Sequence, residues 1–381
     1  MRVVIASRIF LPEPAAASLR LGSLATALAA RGAQVTVLTS CPPAGNPVDD
    51  PTGVDVRRAR VLRDRDGYVR GYLQYMSFDV PLLFRLLFVR RPDVVVVEPP
   101  PTTGAVVRLV CALRRIAYVY YAADVWADAA ANATSSGFVL RVVRVLERFA
   151  WRGARAVLSV SDAMTARLAE LGISERVRTI GNGVDTARFG RDGAVVDLGA
   201  PYLVYTGTAS EVHGADVFAR AFAKVHARRP DAVLVYVGQG SDWAVLAELA
   251  RTLPEGAIRL VPRVQPAAVA EWLRGARAAL ASVKPDTGYG FAFPTKLYAA
   301  ALCGTPAIFA GAGPAAGFLA EGTAGVAVPY EEDAVAEAML AALDAEPDPA
   351  RRAAIETWAR RAASGDVVAQ RGADVVEEAG R

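Results

Sequence analysis

Short runs of Val, Ile and Leu alternate with amphipathic stretches along the whole chain. In the first half, VVIAS (3–7), VTVLTS (35–40), DVVVVE (93–98), AYVYYA (117–122) and RAVLSV (155–160) read as strands. VDVRRARVL (54–62) reads as an added edge strand, and VRTIGNGVD (177–185) closes the series. Helical periodicity covers 19–32 and stops at Gly32, and Ser161-Asp162 is an N-cap for the helix that follows. β-Branched runs without strict alternation belong to strands buried on both faces. They predict a parallel sheet with helices on either side.

The same rhythm resumes after residue 201, with strands at 202–207, 232–238, 257–261, 278–283, 307–310 and 325–329. Helices are expected near 214–228, 241–252, 266–275, 295–303, 331–343 and 349–363. The stretch 186–201 lacks periodicity and is rich in Gly and Asp, so it reads as a linker. The predicted fold class is therefore α/β, with two Rossmann-like parallel-sheet domains facing across a cleft. They are expected at 1–190 and 191–365, with a helix over 366–381 returning to the first domain. A length of 381 residues suits two domains, each with an ample core.

Composition narrows the class. Hydrophobic residues make up 53% and charged residues 22%, which is globular and not disordered. Cys41, Cys111 and Cys303 are far apart, and MRVVIASR reads as a first strand and not a leader, so a reducing cytoplasm is expected. The longest apolar run, at 80–89, is interrupted by Arg85, so no membrane-spanning helix is expected. The net charge of +4 is unevenly divided: residues 1–198 are net basic and the remainder net acidic. An anionic surface or ligand on the first half would suit that division, whereas no module that reads nucleic acid is present. Two segments, 80–92 and 138–155, mix Arg with bulky apolar residues, as core helices do and as helices on an anionic membrane do.

Candidate chemistry concentrates at 288–306, GYGFAFPTKLYAAALCGTP, a loop feeding a helix that opens at Thr295 and Lys296. Of 43 basic residues only Lys224, Lys284 and Lys296 are lysines, and two of these flank the loop. A lysine kept in an arginine-rich chain suggests a need for a compact ammonium; a solvated surface lysine is the plain alternative. With His213 and His226 as the only histidines, no histidine-rich metal site is expected.

Four blocks together resemble a known family: the opening 8–40, GNGVD (181–185), YTGTASEVHGADVFARAF (205–222) and FPTKLYAAALCGTPAIF (293–309). They are similar, in order and spacing, to the retaining glycosyltransferases of family GT4, which have the GT-B fold. The resemblance implies a nucleotide-diphospho-sugar donor on the C-terminal domain, a hydroxyl-bearing acceptor on the N-terminal one, and no resident metal or other cofactor. Where the family reads Gly-Arg…Lys-Gly, this chain has Gly207-Thr208 and His213-Gly214, leaving Thr208, His213, Lys284 and Lys296 to meet the diphosphate. Two family glutamates eight positions apart fall on Phe291 and Ala299. Pro294-Thr295-Lys296 follows a Pro-Ser-Lys branch of the family. Gly238, Gly240, Arg263, Val264, Gly290, Ala292 and Thr295 complete the implied donor contacts. On the acceptor side the implied contacts are Ala17, Arg20 and Trp126, with Asp124, His213 and Lys296 as catalytic candidates. Two other readings stay open: a nucleotide-sugar-binding protein without catalysis, and a sugar-nucleotide epimerase. An NAD(P) oxidoreductase does not fit, since no G-x-G-x-x-G follows the first strand.

Overall fold

A computed structural model describes residues 1–13, 15–43, 50–64, 67, 69, 71–133, 136–285 and 293–381. The chain divides into two compact units: Met1–Asn182 with Gly365–Arg381, and Gly183–Ser364. The stretch 186–201 belongs to the second unit, where Phe189, Leu198 and Ala200 pack on its core. It is thus part of a domain and not a linker.

In order, the first unit contains β1 (Arg2–Ala6), α1 (Ala16–Ala30), β2 (Gln34–Ser40), β3 (Val54–Ala59), α2 (Tyr72–Phe88), β4 (Val94–Val97) and α3 (Pro101–Arg114). It continues with β5 (Ala117–Ala122), α4 (Trp126–Ala133), α5 (Gly137–Gly153), β6 (Ala156–Ser159), α6 (Asp162–Glu170) and β7 (Val177–Thr179). The described strands form one sheet in the order β3-β2-β1-β4-β5-β6-β7, parallel throughout. Val94–Val97 is fully buried, as a strand covered on both faces must be. The edge strand β3 is shorter than its apolar pattern, and β7 ends at Thr179, before the glycines of GNGVD.

The second unit contains β8 (Tyr202–Thr208), α7 (Asp216–Arg228), β9 (Val233–Gln239), α8 (Trp243–Arg251), β10 (Ile258–Pro262), α9 (Pro266–Gly275) and β11 (Ala278–Ser282). Then come α10 (Lys296–Leu302), β12 (Ala307–Ala310), α11 (Pro314–Glu321), β13 (Gly325–Val328), α12 (Glu332–Asp344) and α13 (Pro349–Ala362). Its described strands run β10-β9-β8-β11-β12-β13, again parallel. The last helix, α14 (Gly365–Gly380), belongs to the first unit and packs on α1. In both sheets the strand order reverses beside the first strand, between β1 and β4 and between β8 and β11. Ligands of doubly wound sheets sit at the carboxyl ends of such strands.

The carboxyl edge of the second sheet is built from glycines for a steric reason. Gly207 has φ +94° and pairs in register with Gly238. A Cβ on Gly238 would stand 2.0 Å from the Gly207 carbonyl oxygen, and one on Gly240 1.7 Å from that of Ala209. These glycines are therefore required by the approach of neighbouring backbone. Gly240→Ala is expected to cost more than about 2 kcal/mol. A urea midpoint equal to that of the wild type would contradict this.

Candidate active site

In the second unit, hydroxyl groups of core tyrosines hold the segment that follows β8. Tyr205 donates to the Thr208 carbonyl at 2.9 Å, Tyr236 to that of Ala215 at 2.9 Å and Tyr330 to that of Gly214 at 2.8 Å. The Lys284 N–H, just past β11, donates to the Val212 carbonyl at 3.0 Å. His213 rides on this segment, with Nδ1 2.7 Å from Ser210 Oγ. Burial first, and the nearby Lys296 charge second, push its pKa down to about 4. The ring is therefore neutral at pH 7, a hydrogen-bonding group and not a cation.

Lys296 opens α10 and reaches back over the end of β8. Its Cε would be 3.9 Å from a Cβ built on Gly207, and Nζ stands 3.4 Å above the centroid of the Tyr205 ring. Nζ is buried and has no hydrogen-bond partner among the described residues. Burial pulls its pKa well below the ordinary lysine value. The tyrosine face offsets part of the cost of desolvating an ammonium, but nothing described here supplies the counter-anion such a group requires.

The other donor-side candidates fall into three groups. Thr208, Lys284 and Arg263 are exposed at or just after strand ends, while Thr295 is half-buried at the α10 N-cap without a side-chain cap bond. Val264 is half-buried against the core. Ala299 is 6% exposed and packs within that core. Gly290, Phe291 and Ala292 lie outside the described residues.

In the first unit, Arg20 of α1 binds Glu98, just past β4, at 2.5 Å, and its guanidinium is 5.5 Å from the centroid of the Tyr121 ring. Burial is the largest influence and opposes the Arg20 charge, but Glu98, Tyr121 and Asp124 together outweigh it and the pKa rises. Arg20 is thus an internal ion-pair member and not a solvated helix residue. Asp124, after β5, is exposed to solvent yet crowded by protein. Desolvation raises its pKa, with Arg20 drawing it down and Glu98 pushing it up. Ala17 lies half-exposed in the first turn of α1. Trp126 opens α4 and packs edge-on against Tyr75 at 5.8 Å, and Arg8 lies over both rings, at 4.8 Å from Tyr75 and 5.6 Å from Trp126.

One group here escapes sequence reasoning. Glu147 of α5 is buried and accepts from the N–H groups of Trp126 at 2.7 Å and Ala127 at 3.1 Å. It therefore satisfies the start of α4, a role open to Asp124 on sequence alone. The signal was a lone carboxylate in a helix of arginines and apolar residues. Burial raises the Glu147 pKa from 4.5 to about 7, against the two backbone hydrogen bonds. A raised acid pKa stabilises the fold below the unfolded value of 4.5 and loses that contribution as pH rises through about 7. His213 acts with the opposite sign, losing its contribution as pH falls from 6.5 through about 4. Between pH 4.5 and 8, the wild type should lose about 3 kcal/mol of unfolding free energy relative to Glu147→Gln. Parallel stability profiles in urea across that range would count against it.

These two doubly wound parallel units have the GT-B architecture of glycosyltransferases. The chain belongs to the GT4-type glycosyltransferases: residues 16–183 match the family described as "Glycosyl transferase 4-like domain" and residues 200–345 the one described as "Glycosyl transferases group 1". Among solved structures it is similar to Anabaena HepE in complex with UDP and glucose, at 17% identity and a TM-score of 0.71 over 99% of each chain. It is also similar to WaaG, a glycosyltransferase of lipopolysaccharide biosynthesis, at 18% identity and a TM-score of 0.75 over 98% of this chain and 99% of that one. A third is AviGT4, of avilamycin A biosynthesis, at 18% identity and a TM-score of 0.61 over 99% and 97% of the two chains. At these identities the likeness establishes the fold. No curated protein matches the chain by sequence.

Proposed function

We propose that the chain transfers a sugar, with retention, from a nucleotide-diphospho-sugar to a hydroxyl acceptor. A UDP-sugar is the favoured donor, since HepE, a protein of the same fold, binds UDP and glucose. The observation that carries the reading is Lys296 Nζ, buried and without a hydrogen-bond partner among the described residues, above the end of β8. A diphosphate oxygen is the counter-anion it needs, and the neutral His213 ring and Thr208 add uncharged donors. Charge on the departing nucleoside diphosphate is met in this reading by Lys296 and hydrogen-bond donors, without a resident metal or other cofactor. Asp124 orients the acceptor hydroxyl, with Arg20 and Glu98 setting the local field and Ala17 and Trp126 bordering the acceptor.

The acceptor is a lipid-linked or secondary-metabolite glycan. WaaG and AviGT4, which share the fold, serve lipopolysaccharide and avilamycin A biosynthesis. A lipid-linked acceptor implies work at the cytoplasmic surface of an anionic membrane. In this reading the contact is peripheral; no helix among the described residues is long and apolar enough to cross a membrane.

Lys296→Met tests the donor site. Removing the buried ammonium should raise the melting temperature of the free protein and weaken UDP roughly 10- to 100-fold in calorimetry. Equal UDP affinity in the variant would remove Lys296 from the site. UDP binding with no product from any UDP-sugar would favour the alternative of a binding protein.

A further inference from the structure

The helices α2, α3 and α5 leave large apolar side chains in solvent, and these follow helical spacing. On α2 they are Val80, Phe84 and Phe88, on α3 Leu109 and Leu113, and on α5 Phe138, Val142 and Val145. Phe88 is 84% exposed, Phe138 77% and Leu113 74%. Helix α3 packs against both α2 and α5, so the three helices that carry the stripes are neighbours. Scattered exposed apolar residues are ordinary, but stripes on three packed helices mark a surface that meets something.

Charge indicates what that is. The outer surface of α5 interleaves Arg141, Arg144 and Arg148 with its apolar stripe, and none of them forms an ion pair among the described residues. The acidic residues of these three helices, Asp79 and Glu147, are both buried. Beside the C-terminal ends of α3 and α5, Arg115, Arg155 and Arg176 line a hollow of about 530 Å³ together with Tyr118 and Gly153. A protein partner that matched only the apolar stripes would leave these guanidinium groups without counter-charge. A bilayer with anionic headgroups supplies acyl chains for the stripes and phosphates for the arginines.

We infer that the α2–α3–α5 face is the surface by which the protein lies on an anionic phospholipid bilayer, with the three-arginine hollow seating a headgroup phosphate. This rests on the peripheral-membrane part of the proposed function and adds the face and the lipid chemistry. Helices lying in the interfacial plane insert Phe and Leu and keep Arg at the level of the phosphates.

Flotation of the full chain with vesicles of phosphatidylglycerol and phosphatidylcholine tests it, compared with phosphatidylcholine alone. The wild type should float only with the anionic vesicles, and less so at high salt. Phe88→Ser with Leu113→Ser should lower vesicle affinity about tenfold or more, and Arg115→Gln with Arg155→Gln about fivefold per arginine removed. Each variant should keep the wild-type thermal shift with UDP, which shows that it is folded. If the wild type floats and both double variants float equally well, this face is wrong while peripheral binding stands. If the wild type does not float with anionic vesicles, peripheral binding itself fails and the face with it. A dimer in solution that Phe88→Ser and Leu113→Ser dissociate, without flotation, would give the face to a second copy and overturn the assignment.

Discussion

The second unit depends on how the backbone carbonyls past β8 are satisfied. Thr208, Gly214 and Ala215 accept from Tyr205, Tyr330 and Tyr236. Because the hydroxyls reach these carbonyls from within the core, the segment does not need water to satisfy them. The same packing withdraws water from His213 and Lys296. Burial lowers the pKa of both groups, and the Lys296 charge adds to the shift of His213. The Gly214 carbonyl also accepts from Ser282 and Val217 and the Ala215 carbonyl from Phe218, so the Tyr205 hydroxyl on the Thr208 carbonyl is the bond that a phenylalanine would cost most.

The arginine excess finds a use that composition does not reveal. Several guanidinium groups gather backbone carbonyls at the ends of elements instead of pairing with carboxylates. Arg114 donates to Leu86 and Val89, Arg85 to Thr39 and Arg57, and Arg274 to Gly190 and Ala194. Arg352 does the same for Gly304, Leu273 and Ala276. A planar group with five donors can bridge two carbonyls at once, which an ammonium on a flexible stem does less well. Against that background two of the lysines are distinct: Lys224 pairs with Asp333 on the surface, whereas the Lys296 ammonium is buried without a partner among the described residues.

The strand rhythm was legible because fully buried strands such as Val94–Val97 write their burial into a run of β-branched residues. Helix α3 was not, since PTTGAVVRLVCALR is rich in Gly, Thr and Val and carries no strong helical propensity; its packing between α2 and α5 decides it. Lys296 and the strand-end glycines were legible as residue types, but the reason for the glycines at 238 and 240 is backbone approach, which no spacing displays. The burial of Ala299 was not legible either, since position relative to a family motif says nothing about packing. Glu147 was hidden because its partners, Trp126 and Ala127, are about twenty residues away along the chain.

The placement of α14 bears on biosynthesis. Its Gly372 rests near Leu24 and Ile180, and Arg31 of the first unit binds Gln370 and Asp374. These residues follow the second unit along the chain and leave the ribosome after it, whereas their partners precede it. The second unit can therefore close while the first still shows its α1 flank, and a nascent chain halted after Ser364 would present that flank to chaperones and proteases. In this chain the domain begun first is the one finished last.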